Sequence, residues 1–136
     1  MVSLRGVVMV STPQEVALAD VRRAFAMWDQ VRVPVLGVVE NMSYFLNESG
    51  EKLRLFGEGG GKRLSEKYHV PVLGEIPLEP RLRESGDLGR PLYTQGESVS
   101  VNSLFNSVAT ELFKQIEKSI KEGVSPSQVV QIGDFS

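Results

Sequence analysis

The chain has 136 residues, the size of one domain, with Lys plus Arg 15 against Asp plus Glu 17 and a formal net charge of −2. That balance argues against a general nucleic-acid or anionic-membrane binder, and the hydrophobic fraction of 41% with 24% charged residues excludes wholesale disorder. With no cysteine and one histidine, His69, these residues supply no disulfide, no thiolate metal site and no His-based metal cluster. No apolar run approaches the roughly 18 residues of a membrane span, so a soluble, cytoplasmic protein is the default expectation.

The run Gly6-Val7-Val8-Met9-Val10 is continuously apolar and β-branched, the pattern of a strand buried on both faces of a parallel sheet. Ser11-Thr12-Pro13-Gln14-Glu15 follows. Thr12 at the N-cap, Pro13 at the first helical position and Glu15 three residues on predict a capping box. Leu18, Val21, Ala24, Phe25 and Trp28 then fall at helical spacing, predicting a helix from about Pro13 to Val31 with Trp28 in the core. Gln14, just beyond the first strand, faces the side where ligands bind in such sheets, whereas Asp20 reads as a solvated helix residue.

Pro34 to Val39 is a second buried-strand run, ending in Glu40-Asn41-Met42-Ser43-Tyr44-Phe45. Open α/β sheets bind ligands beyond the carboxyl ends of their strands. Asn41 stands there with a donor and an acceptor on one side chain, the pair an adenine edge requires. Its plainer role is a strand-ending turn. Glu40 and Glu75 are a carboxylate pair without a partner histidine, so Glu40 is read as structural or interfacial.

Residues 46–56 carry the turn signal Asn47-Glu48-Ser49-Gly50 between short apolar stretches, predicting a hairpin. Gly59-Gly60-Gly61-Lys62 invites comparison with a phosphate loop. It departs from G-x-x-x-x-G-K-[ST] at both ends, with Phe56 at the first glycine position and Arg63 at the Ser/Thr position. A turn into a short helix over Lys62 to His69 is the preferred reading.

Pro71 to Pro77 is a third strand, with Pro77-Leu78 at its carboxyl end, where they could flank a flat ring or simply begin a loop. A charged, proline-rich loop is expected from Pro77 to Pro91. Val101, Leu104, Phe105, Val108, Ala109, Leu112, Ile116 and Ile120 trace one face of a long helix that Gly123 can cap. Residues 123–136 read as a flexible tail, with Val129, Val130 and Ile132 able to dock. The alternation of strands and helices predicts an α/β fold, a partial doubly wound parallel sheet of three main strands with covering helices, over residues 1–122. Three strands are few for that architecture, and self-association through the uncovered sheet is expected.

Five strings in order resemble one family. They are Thr12-Pro13-Gln14-Glu15-Val16-Ala17-Leu18-Ala19-Asp20-Val21-Arg22, Val35-Leu36-Gly37-Val38-Val39-Glu40-Asn41-Met42-Ser43-Tyr44-Phe45, Phe56-Gly57-Glu58-Gly59-Gly60-Gly61, Leu73-Gly74-Glu75-Ile76-Pro77-Leu78 and Gly86-Asp87-Leu88-Gly89-Arg90-Pro91. Together, from about Gly6 to Ile116, they are similar to the C-terminal half of the Mrp/ApbC iron–sulfur cluster carriers, P-loop ATPases related to the MinD and ParA group. The resemblance implies the C-terminal half of a P-loop NTPase fold, in a dimeric cytoplasmic protein that binds ATP with magnesium and carries an iron–sulfur cluster to apo-proteins. It implies that Asn41 reads adenine and that Pro77 and Leu78 lie beside the ring. It assigns no catalytic residue and no metal ligand to this chain.

Two features depart from the family pattern. Its phosphate-binding loop and magnesium aspartate belong to an N-terminal half that this sequence does not contain, so the chain alone is expected not to hydrolyse ATP. Many members carry Cys-x-x-Cys where this chain has Leu46-Asn47-Glu48-Ser49-Gly50, so this chain has no cysteine to ligate a cluster. The expected partner is a second copy or the N-terminal half. A non-catalytic partner-binding remnant and half of a MinD- or ParA-type ATPase are the alternatives, and the ENMSYF and FGEGGG strings favour the Mrp branch over the last.

Overall fold

The computed structural model describes residues 2–92 and 99–130. In chain order the elements are β1 (Val2–Leu4), β2 (Val7–Ser11), α1 (Glu15–Gln30), β3 (Val35–Glu40), β4 (Phe45–Leu46), β5 (Lys52–Leu53), α2 (Gly60–Tyr68), β6 (Val72–Glu75), α3 (Pro80–Leu88), α4 (Val99–Lys121) and β7 (Ser127–Val130).

The three expected strands form one parallel sheet in the order β2-β3-β6. Register is set in the middle: Val38 stands beside Met9 and Val72, and Glu40 beside Ser11 and Glu75. Because side chains alternate across a sheet, β3 feeds two cores. Val38, with no exposed surface, packs with Met9, Leu18, Val21, Phe25 and Leu64 under α1 and α2. Val39 packs on the other face with Leu73 and Ile76, against Leu104, Val108 and Leu112 of α4. Gly74 permits the close approach of α4, since a Cβ there would lie 2.5 Å from Val108 Cγ2. The α/β class, the parallel sheet of three main strands and the covering helices are thus as expected.

Helix α1 starts later than the capping box predicts. The backbone stays extended through Gln14, with ψ 137°, and Gln14 is the N-cap without a side-chain bond. Thr12 Oγ1 instead approaches Gln14 Oε1 at 3.5 Å. Pro13 is buried against α2, where a Cβ on Gly60 would lie 2.8 Å from Pro13 Cα. Packing of the strand-to-helix turn therefore overrides the local cap signal. Trp28 packs at the edge of the core, partly buried, and Asp20 forms an exposed pair with Arg23 at 2.8 Å.

The expected loop from Pro77 to Pro91 contains a helix. In α3, Pro80 sits at the first turn, Glu79 accepts a hydrogen bond from the Arg81 backbone N–H at 3.1 Å, and Gly89 ends it at φ +62°. Glycine and proline there are end signals of a helix, not loop composition. Helix α4 forms as expected and ends at Lys121, closed off by Gly123 at φ +72°, with Val124 N–H donating to Ser119 O at 3.0 Å. Its inner stripe is narrower than the eight positions suggest: Phe105 and Ile120 are exposed, while Ser119 is buried.

β1 and β7 pair antiparallel, Val2 with Val130 and Leu4 with Ser127. Arg5 Nη1 donates to Val124 O at 2.6 Å beside them. Val129 and Val130 thus lie in a strand, and Ile132 lies outside the described residues. No helix among the described residues is long and apolar enough to cross a membrane.

Candidate functional site

The carboxyl ends of β2, β3 and β6 converge, and the hydrogen-bond ladder continues beyond them. Asn41 N–H donates to Ser11 O at 2.7 Å, and Ile76 N–H to Glu40 O at 2.8 Å. Ser43 N–H then donates to Ile76 O at 2.9 Å, and Leu78 N–H to Tyr44 O at 2.7 Å. Residues 40–44 and 76–78 therefore run as a stitched pair, which brings Asn41 and Pro77-Leu78 to one end of the sheet.

Asn41 is half-buried. Its Oδ1 accepts from the Met42 backbone N–H at 2.9 Å, which fixes the side chain over a turn where Met42 adopts φ +52°. The oxygen keeps a second lone pair, and Nδ2 carries no hydrogen bond among the described residues, so the amide retains both donors and one acceptor position. Pro77 is buried and Leu78 partly so, giving an apolar wall at the end of the neighbouring strand. Gln14 is exposed at the start of α1.

Glu40 is 2% exposed, and its carboxylate is fully engaged. Oε1 accepts from Ser43 Oγ at 2.6 Å, and Oε2 accepts from Gly61 N–H at 2.5 Å. Burying a charge demands such partners. The Gly61 bond places the carboxylate on the N-terminus of α2, the positive end of the helix dipole. Gly60 and Gly61 make room for it: a Cβ on either would lie 3.3 Å from Glu40 Oε2. The glycine run is therefore a seat for Glu40. A phosphate does not fit there, because the anion position is taken by the chain's own carboxylate.

Arg54, which sequence reading did not single out, completes the cluster from the far side of the hairpin. Its Nη1 donates to Ser43 Oγ at 3.2 Å and lies 3.9 Å from Glu40 Oε1. Nη2 reaches Glu75 Oε2 at 3.5 Å, and Nε reaches Glu58 Oε1 at 3.5 Å. Tyr44 is buried, with Lys52 Nζ 4.3 Å from its ring centroid. Desolvation, and then the nearby Glu75 charge, push its phenol above the ordinary tyrosine value.

The expected hairpin is β4–β5, with Phe45 opposite Leu53 and Leu46 opposite Lys52. Asn47 organises its turn: Oδ1 accepts from Ser49 N–H at 3.0 Å, Ser49 Oγ at 2.7 Å and Glu51 N–H at 2.9 Å. The turn holds no thiol, since the sequence has no cysteine, and a thiolate-ligated cluster does not fit these residues.

A family model described as ParA, NUBPL iron-transfer P-loop NTPase, matches residues 1–113. An iron–sulfur cluster carrier protein of Synechocystis is 47% identical over 118 residues, covering 85% of this chain and 32% of its own length. The iron–sulfur cluster carrier protein of Aquifex aeolicus is 40% identical over 120 residues, covering 88% of this chain and 33% of its own. The chain thus spans about a third of the length of these curated relatives. Among solved structures, a nucleotide-binding protein of Archaeoglobus fulgidus in complex with ADP is 40% identical, with a TM-score of 0.55 over 71% of this chain and 42% of that one. The cell division ATPase MinD of Pyrococcus furiosus, 23% identical with a TM-score of 0.62 over 81% of this chain and 43% of its own, shares the fold.

Proposed function

The chain belongs to the NUBPL-type iron-transfer P-loop NTPases, and from that membership we propose that it supplies the adenine-binding end, and a contact surface between copies, of an ATP-binding iron–sulfur cluster carrier of the cytoplasm. The observation that carries the reading is the shared position of Asn41 and Pro77-Leu78 at the carboxyl ends of adjacent parallel strands. In it, the Asn41 amide donates through Nδ2 and accepts through Oδ1 on the base edge. Pro77 and Leu78 contact the ring by dispersion and keep water from it.

The phosphates and magnesium are held by residues outside this chain, because the glycine-rich helix end here is filled by Glu40. ATP hydrolysis by the chain alone is accordingly not expected. The cluster is cargo for apo-proteins, and its thiolates come from elsewhere, since this chain has none.

Titration of the chain with AMP, ATP and GTP, followed by protein NMR, tests the base reading. AMP and ATP should bind alike, with a Kd of about 1 mM, because only the base is contacted. GTP should bind at least about tenfold more weakly, and Asn41→Ala should abolish the difference. Equal binding of ATP and GTP to the unaltered chain would remove Asn41 from the site. A second reading, a non-catalytic module that pairs with a partner, is favoured by one observation: β2 is bonded on one side only among the described residues.

A further inference from the structure

Asn41 lies between two residues that are each pinned. Glu40 is held by Ser43 and Gly61, and Ser43, with no exposed surface, is held by Glu40 and Arg54. The two residues between them, Asn41 and Met42, carry the amide and the left-handed turn. Arg54 is the only one of these partners that comes from the hairpin side. It follows β5 directly, its side chain is 27% exposed, and its guanidinium meets the end of β3 at Glu40 and Ser43, the end of β6 at Glu75, and the approach to α2 at Glu58.

The hairpin pairs only with itself among the described residues and forms a separate two-stranded sheet. Its turn is closed by Asn47, whose Oδ1 accepts from the Ser49 and Glu51 backbone N–H groups. Lys52 over the Tyr44 ring is a second contact on the same flank. A guanidinium presents a flat fork of five donors, which a single ammonium cannot reproduce across several acceptors.

We propose that Arg54 is a positioning residue that links the β4–β5 hairpin to the Asn41 turn, so that what happens at the hairpin tip alters base binding and base binding alters the hairpin. The link rests on the base-site reading above, and it runs both ways, because a hairpin arrangement that changes base affinity is itself changed in population by base binding.

The test uses backbone amide spectra of the 136-residue chain, alone and with AMP, in the unaltered protein, Arg54→Lys and Arg54→Ala. AMP should move the amide signals of Asn47 to Glu51 as well as those of Asn41 to Ser43. Arg54→Ala should lose the hairpin response and bind AMP about fivefold more weakly. Arg54→Lys should restore less than half of that affinity. Unchanged affinity and an unchanged hairpin response in Arg54→Ala would overturn the proposal. If the unaltered chain ignores AMP, the base-site reading fails by itself, and the ligand-free spectra decide the positioning. Displaced Asn41 to Ser43 signals in Arg54→Ala support the link, and signals that stay in place refute it.

Discussion

At the scale of single residues, the glycines separate into those that admit a neighbour and those that do not. A Cβ on Gly60 would lie 2.8 Å from the backbone Cα of Pro13, which cannot swing aside, whereas one on Gly86 meets nothing within 4 Å. Gly60→Ala should therefore destabilise the chain by about 1–3 kcal/mol through overpacking. Gly86→Ala, inside α3, should stabilise it by about 0.5–1 kcal/mol by restricting the unfolded chain. Urea denaturation of the two variants gives opposite signs if this holds. Tyr44 offers a second residue-scale prediction. Its folded pKa lies above the ordinary 10.0, so the stability tied to it is complete below pH 10 and declines as pH rises through the folded value. The tyrosinate absorbance difference between the unaltered chain and Tyr44→Phe should therefore rise with a midpoint above 10.0; a midpoint at or below it would contradict the burial argument.

At the scale of elements, β3 and α2 are joined through one carboxylate. Glu40→Gln retains the volume but loses the charge on the helix N-terminus and one of two acceptor oxygens. It should cost about 1.5–3 kcal/mol in urea denaturation, the worth of hydrogen bonds to a charged group. A loss below about 0.5 kcal/mol would mean that the helix end is satisfied without it. This joint also marks where sequence reading stops. The strands were legible because Val7–Ser11, Val35–Glu40 and Val72–Glu75 are apolar runs that only a sheet covered on both faces can bury. Asn41 and Pro77-Leu78 were legible as strand-end residues by the same pattern. Arg54 was not, because its partners Glu40, Ser43 and Glu75 lie 11 to 21 positions away and only the fold brings them together. Helix α3 is hidden in the sequence because its proline and glycine, which resemble loop composition, stand at its two ends. The Thr12 cap does not form because the chain stays extended through Gln14, with Pro13 buried in the turn.

At the scale of the whole molecule, the sheet is covered by α1 and α2 on one face and by α4 on the other, but β2 presents an edge unpaired among the described residues, with Val10 57% exposed beside it. Unpaired strand groups are templates for another chain. Self-association should be visible by sedimentation at micromolar concentration, and Val10→Lys should shift the population to monomer. A stable monomer of the unaltered chain at that concentration would count against the contact-surface reading.

The clasp of β1 on β7 bears on how the chain acquires this shape. Ser127 and Leu4, which share a hydrogen bond, are 123 positions apart, so the pairing closes a loop of nearly the whole chain. The cost of that closure grows only with the logarithm of loop length, but it comes due before any of its few bonds form. The parallel sheet needs no such closure once Glu75 has been reached. The clasp therefore belongs late on the folding route and early on the route of unfolding. Its amides should exchange with solvent through a local opening that leaves Val38 and Val39 protected, as a latch lifts without the box coming apart.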